Sequence, residues 1–287
     1  ILPASSNSLR RPDLLAQILT QTGGRQFDEL LAVERRAWRR TWLQGGAIAI
    51  VAIVCFWQTG LLDLVRLGEG IPAIGVLMGE MFPPNFSDAE SWIVPVIDTL
   101  AMSVAGTVLA IVISIPLAFL AAENTTPHPV VYRIARTVLN TLRSIPELIM
   151  GIVFVAAVGF GALPGVLALG LHSVGMIGKF FAESIEHAHA APIEAAKAAG
   201  ASPIQVVTHG VLPQVIPQFM DVAMYRWEYN FRASTVMGMV GAGGIGLELM
   251  SSLRIMQYNE VSAILLVILT LVTLVDGLSG LLRRRFK

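Results

Sequence analysis

The chain has 287 residues, of which 54% are hydrophobic and only 14% are charged, and its mean hydropathy is +0.68. This composition excludes an ordinary soluble domain and indicates that the lipid bilayer is the solvent. The formal net charge is zero, so the chain has no overall basic excess of the kind that suggests a nucleic-acid partner. The single cysteine, Cys55, excludes an intrachain disulfide and a thiolate metal cage.

Six apolar stretches approach the roughly 20 residues that are needed to cross about 30 Å of hydrocarbon. They lie at residues 42–62, 94–121, 145–161, 163–182, 211–239 and 260–282. The first stretch follows roughly 40 residues and lacks a convincing small-residue cleavage site, so we expect a signal anchor and not a cleaved leader. The sequence therefore predicts an all-α membrane protein with six transmembrane helices.

The basic residues predict the orientation of these helices. Arginine and lysine side chains cluster before the first stretch and after the last, at Arg35, Arg36, Arg39, Arg40, Arg283, Arg284, Arg285 and Lys287. Because such residues stay on the cytoplasmic side, both termini of this multi-pass protein are expected in the cytoplasm. The expected organisation is a cytoplasmic N-terminal extension at 1–41, a first transmembrane helix at 42–62, an extracytoplasmic segment at 63–92, and a core domain of five helices at 93–287.

A cytoplasmic loop, expected at residues 186–213, has the pattern of a short helix, a sharp turn and a second helix. Pro192 suits a first helical turn, and the alanines after it favour helix while adding almost no bulk. Gly200 is expected to end this helix in a left-handed conformation. Ser202 and Pro203 are expected to begin the next helix.

This loop resembles the cytoplasmic "EAA" loop of ATP-binding-cassette importer permeases. The matching residues are Glu194, Ala195, Ala196, Gly200, Leu212 and Pro213, with one departure, since Gly210 stands where the family has Ile. The stretches "MFPPNFS", "RSIPELI", "LALGLHSVGMIGKFFAESIE" and "VGAGGIGLEL" narrow the resemblance to the phosphonate-type permeases.

The resemblance implies a type I importer permease bundle of the MetI-like kind in the bacterial inner membrane. It implies a second permease copy, two ATPase subunits that dock on the loop, and an extracytoplasmic solute-binding protein. ATP and Mg would bind the ATPase subunits, whereas no cofactor, metal or catalytic residue is assigned to this chain, which is therefore expected not to be an enzyme. The implied solute is a small phosphorus oxyanion, such as a phosphonate or phosphite.

Ionisable residues inside the apolar stretches are the candidates for a solute path, because such residues usually face the bundle or a wet cavity. Glu228 and Arg232 are spaced to neutralise each other, so Arg226 is the better candidate for contact with an anion. His172 and Ser173 are additional donor candidates. A structural role for these residues, in an ion-pair network or an interhelical hydrogen bond, would explain the same pattern. Arg143 and Glu147, which flank Pro146, are interpreted as a pair at the start of the third stretch.

Residues 241–246, Gly-Ala-Gly-Gly-Ile-Gly, match the G-x-G-x-x-G spacing of dinucleotide-binding loops. A membrane-bound NAD-dependent oxidoreductase would need a strand before these glycines, whereas a long apolar stretch precedes them. We interpret Gly241, Gly243, Gly244 and Gly246 as a gating hinge. The sequence is also compatible with an importer of phosphate or methionine, and with an autonomous channel or secondary transporter.

Overall fold

The computed structural model describes residues 34–35 and 38–286, with side chains as far as residue 284. Most of the expected N-terminal extension, residues 1–41, therefore lies outside the described residues. The chain divides into two compact units, which comprise residues 1–75 and residues 76–287.

The first unit contains helix α1, Trp38–Gln58, which overlaps the first predicted transmembrane stretch. None of its apolar window is buried, as expected for a helix whose neighbours are lipid chains. The chain then turns at Gly60, where φ is +72°. Helix α2, Leu64–Glu80, begins here and continues into the second unit.

The second unit is helical in its described part. Its helices are α3 (Ile93–Ala121), α4 (Pro129–Ser144), α5 (Glu147–Val158), α6 (Ala162–Glu186), α7 (Ala190–Ala198), α8 (Pro203–Gln205), α9 (Leu212–Met237), α10 (Ile245–Arg254) and α11 (Tyr258–Phe286). A 3₁₀ turn, Ala89–Trp92, leads into α3, and two π-helical segments, Val206–Val211 and Gly238–Ala242, precede and follow α9. The all-α prediction is confirmed.

Four helices in the described ranges are long and apolar enough to cross a membrane, namely α1, α3 with its leading turn, α6 and α11. Two bent pairs are also long and apolar enough when each is counted as one span. One pair is α4 with α5, which meet at 86°, and the other joins residues 203–242 to α10 at 58°. The six predicted spans therefore correspond to four continuous helices and two broken ones.

The third predicted span differs most from the structure. Its helical part, α5, has only 12 residues and is about 18 Å long, too short to cross the hydrocarbon by itself. The break comes from Pro146, which has no N–H to continue the α4 hydrogen-bond pattern and has an extended ψ of 135°. The bend places Glu147 at the first position of α5.

Helix α6 lies at the centre of the second unit and packs against α3, α4, α5 and α9. Glycines allow the close approach, because a Cβ added to Gly175 would lie 2.6 Å from the backbone nitrogen of Arg143 and 2.7 Å from the carbonyl oxygen of Leu139. The backbones of α6 and α4 therefore touch. This contact holds the middle of α6 in place, and with it His172 and Ser173.

Candidate functional site

A chain of hydrogen bonds crosses the bundle from α3 to α6 through α9. The side-chain amide of Asn230 donates to Thr107 Oγ1 at 2.9 Å, and the Ser173 hydroxyl donates to Asn230 Oδ1 at 2.9 Å. The Nε of Arg226 donates to Ser173 Oγ at 2.8 Å. All four residues are at most 4% exposed. The polar groups at the centre of this apolar bundle are thus paired, as their burial requires.

Arg226 is only partly paired. Its guanidinium carbon lies 4.1 Å from the centre of the Tyr229 ring, so the positive charge makes a cation–π interaction with the ring. Its Nη2, however, is buried and has no hydrogen-bond partner among the described residues. An unsatisfied buried donor on a charged group is costly. The unpartnered Nη2 therefore makes Arg226 a strong candidate for binding an anion.

Glu147 supplies a negative charge next to Arg226. The Tyr229 hydroxyl lies 2.9 Å and 3.0 Å from the two Glu147 carboxylate oxygens, and donates to this carboxylate. His172 Nε2 lies 3.4 Å from Glu147 Oε2, and His172 Nδ1 lies 3.1 Å from the carbonyl oxygen of Ile145, which can only accept. We call Glu147, His172, Ser173, Arg226 and Tyr229 the Arg226 cluster.

Two other charged residues of α9, Glu228 and Arg232, belong to a separate group. Glu228 and Arg232 form the expected pair, with 3.2 Å between Glu228 Oε1 and Arg232 Nη2. Both also reach α11, since Glu228 Oε2 accepts from Arg283 at 2.5 Å and Arg232 lies 3.3 Å from Asp276. Each of these four charges has an opposite partner, so this group holds α9 against α11.

The predicted helix-turn-helix at 186–213 is present and has the expected local geometry. The first helix is α7, and Gly200 follows it with a φ of +80°. Ser202 then forms a capping box with Gln205 at the start of α8. Of the EAA-type residues, Glu194 and Ala195 are exposed on α7 and Ala196 is half-buried. Leu212 and Pro213 open α9.

Close packing explains why Gly210 stands at the position where the family has Ile. A Cβ added to Gly210 would lie 3.3 Å from Ile193 Cα and 3.6 Å from the carbonyl oxygen of Pro192. The π-helical segment that contains Gly210 therefore packs directly on the backbone of α7. The departure from the family pattern is accommodated by closer helix packing and leaves the turn intact.

The four glycines of the predicted hinge lie where α9 is broken from α10. Gly241, Gly243 and Gly244 have φ values of +102°, +78° and +71°, which only glycine adopts easily. Gly246 is helical, but a Cβ there would overlap the carbonyl of Thr235 on α9. A helix precedes the motif, so the strand that a dinucleotide-binding loop requires is missing from this position.

Residues 114–287 match the protein family described as "Binding-protein-dependent transport system inner membrane component". This is more than half of the chain. The chain belongs to this permease family. The match begins within α3 and includes the Arg226 cluster, the α7–α9 loop and the hinge glycines.

Individual relatives agree with this assignment. The permease is 69% identical to the phosphite transport system permease protein PtxC of Stutzerimonas stutzeri, over 86% of this chain and 90% of that one. It is 42% identical to the phosphate-import permease protein PhnE of Mycolicibacterium smegmatis, over 81% of this chain and 43% of that one. The inward-facing MetNI methionine ABC transporter superposes with a TM-score of 0.61 at 24% identity, over 70% of this chain and 99% of that one. This last likeness confirms the MetI-like importer fold.

The permease thus brings three of the five predicted path residues together, namely Arg226, His172 and Ser173, and separates Glu228 and Arg232 from them. Sequence reasoning missed Glu147 and Tyr229. Glu147 pairs with His172 and Tyr229, and not with Arg143 as expected from its position around Pro146. The sequence did contain a signal for Glu147, because it is a carboxylate inside a predicted transmembrane stretch, and such groups are candidate sites by default.

Proposed function

We propose that this chain is the membrane subunit of an ATP-driven importer and that two copies form the path for a small phosphorus oxyanion, with phosphite as the first candidate. The observation that carries the proposal is the 69% identity to the phosphite permease PtxC over 90% of that protein. The buried, positively charged Arg226 with a free Nη2 supports an anionic solute. Phosphate is the second candidate because of the 42% identity to the phosphate-import permease PhnE.

In this proposal the Arg226 cluster contacts the solute while it crosses. Arg226 contributes charge, and His172 and Ser173 contribute hydrogen bonds near it. A path that held a dianion tightly would not release it, so few donors are preferable to a dense cage, and the solute-binding protein does most of the selecting. Glu228 and Arg232 serve the path indirectly, by holding α9 in position against α11.

The α7–α9 loops of the two permease copies would be the docking elements for two ATPase subunits. ATP and Mg would bind those subunits and not this chain. Glu194, Ala195 and Ala196 would enter a groove of the ATPase, since small side chains permit close approach. Gly200, Leu212 and Pro213 would fix the turn that follows. Closure of the ATPases would then move the helices, with Gly241, Gly243, Gly244 and Gly246 absorbing the backbone change.

The proposed orientation in the bacterial inner membrane follows the distribution of basic residues. Both termini and the α7–α9 loop would be cytoplasmic, as would the extension at 1–41. The segment at 63–92 and the hinge glycines would lie on the other side, where the solute-binding protein docks. The core domain, residues 93–287, would then carry both the path and the coupling loop.

The proposal is tested with the purified complex of two permeases and two ATPases. Its ATPase activity is measured with the cognate solute-binding protein, either empty or loaded with phosphite, methylphosphonate, phosphate or methionine. We expect the phosphite-loaded protein to stimulate hydrolysis most. Stimulation by methionine alone would overturn the phosphorus-oxyanion assignment, and equal activity with empty and loaded proteins would overturn the importer mechanism.

A further inference from the structure

Glu147 places a negative charge where an anion is expected to pass in the proposed path. Its carboxylate accepts from the Tyr229 hydroxyl and faces His172 Nε2. It also lies within electrostatic range of Arg226. The side chains of Glu147 and His172 are only 20% and 13% exposed. The Glu147 carboxylate is therefore largely buried and held by its partners in the cluster, unlike a solvated surface group.

The partners of Glu147 are those that a phosphorus oxyanion would require. A carboxylate only accepts hydrogen bonds, and so do the unprotonated oxygens of phosphite or phosphate. The phenol of Tyr229 offers one proton, and that proton is committed to Glu147. A solute oxygen that takes this donor has to displace the carboxylate. Arg226 Nη2 differs, since it is unpartnered in the described part of the chain and is free to bind the solute directly.

The geometry points to Glu147 as an internal substitute for the solute anion. This inference rests on the proposed function. When the path is empty, Glu147 neutralises Arg226 and holds the Tyr229 donor, so the buried charge is compensated. When the oxyanion arrives, it takes the Tyr229 hydroxyl and Arg226 Nη2, and the displaced carboxylate repels it. Glu147 thus keeps the affinity of the path for anions low, which allows release.

The first variant, Glu147→Gln, removes the charge and keeps the shape. The amide oxygen of glutamine still accepts from Tyr229, so the packing of α5 is retained. Removal of one unit charge beside a partly solvated site is expected to strengthen binding of an anion about tenfold. We expect tighter binding to be accompanied by slower turnover, because the solute leaves more slowly. Glu147→Asp keeps the charge on a side chain that is one methylene shorter, so it is expected to bind anions more weakly than Glu147→Gln does.

The measurements use the detergent-purified complex of permeases and ATPases. Equilibrium dialysis against labelled phosphite, and separately against labelled inorganic phosphate, gives Kd, and uptake into proteoliposomes gives kcat and KM. Glu183→Gln is the matched control, since Glu183 is a carboxylate of the same bundle that pairs with Lys179 outside the cluster. We expect Glu147→Gln to lower both Kd and kcat, and Glu183→Gln to leave Kd unchanged.

An unchanged or higher Kd in Glu147→Gln would overturn the inference. If that variant fails to assemble, Tyr229→Phe provides the second test. It removes the donor for which Glu147 and the solute compete, so we expect Kd to rise severalfold, and an unchanged Kd would contradict the inference. The failure of the proposed function has a different signature, because it is seen in the wild-type complex as absent stimulation by phosphite-loaded binding protein.

Discussion

The substitution Arg226→Met separates a solute-binding role from a structural one, because methionine fills much of the same space without the charge. The variant loses the hydrogen bond to Ser173, worth about 1.5–3 kcal/mol, and the contact with the Tyr229 ring, worth about 0.5–2 kcal/mol. It also removes a nearly buried charge, whose desolvation costs several kcal/mol, and an unsatisfied Nη2. Ser173 still donates to Asn230.

The variant also takes a neighbouring cation from Glu147, which keeps the Tyr229 hydroxyl as a donor. The lost interactions and the removed desolvation cost oppose each other, so we expect the free energy of unfolding of the assembled complex to change by no more than about 2 kcal/mol. Transport is affected differently, because the solute loses its cationic partner. A charge pair at about 4 Å is worth about 4 kcal/mol at an effective dielectric constant of 20. We take half of this value for a path that admits water, so kcat/KM for phosphite uptake is expected to fall about 30-fold.

The assay compares uptake of labelled phosphite into proteoliposomes with the melting temperature of the purified complex. Arg136→Met is the control, since Arg136 is an arginine of the same bundle that pairs with Glu186 away from the cluster. We expect this control to lose about 1 kcal/mol of stability and to transport normally for each assembled complex. Wild-type uptake by Arg226→Met would refute the reasoning. A parallel loss of uptake and stability would show that Arg226 is structural.

Three further predictions concern the loop, the hinge and the orientation. Gly200→Val forces a β-branched residue to φ +80°, at a cost of order 1–3 kcal/mol, and should reduce co-purification of the ATPase subunits. Gly246→Ala should lower the melting temperature by an amount that corresponds to about 1–3 kcal/mol, whereas Gly277→Ala, which has nothing within 4 Å, should not lower it. Gln257→Cys, in a chain with Cys55→Ser, should react with a membrane-impermeant thiol reagent added outside spheroplasts, and labelling only after lysis would contradict the orientation.

The features that could be predicted from the sequence are those that depend on neighbouring residues. The left-handed Gly200 and the helix start at Ser202 and Pro203 follow from turn chemistry, and both are present as expected. The helices α3, α6 and α11 follow the predicted spans closely, because each contains a long continuous apolar stretch. Only the C-terminal ends of α6 and α11 extend beyond the predicted spans by about one helical turn. The pair of Glu228 with Arg232 was also local, with a spacing of four residues.

The features that escaped prediction depend on residues distant in sequence. Glu147 meets Tyr229 across 82 positions, and no local spacing indicates this contact. The position of Glu147 beside Pro146 suggested a local pair with Arg143 instead. The pairing of α4 with α5 across a bend of 86° was also missed, because α4 is amphipathic and carries three arginines, so hydropathy does not assign it to a span. Arg226 could be selected as a candidate from the sequence, but its unpartnered Nη2 is a property of tertiary packing.

Helix α5 connects the two parts of the permease that we propose to move during transport. It begins at Glu147, in the Arg226 cluster, and it ends beside the broken end of α9, where the backbone N–H of Gly161 donates to the carbonyl oxygen of Gly241 at 3.2 Å. Between these ends, Gly151 fits against Met237 so closely that a Cβ would lie 2.6 Å from the sulfur. If α5 shifts as one body so that Glu147 leaves Tyr229, the contacts of Gly151 and of the glycine break change with it. We therefore propose that such a shift would couple the charge of the cluster to the conformation of the predicted hinge.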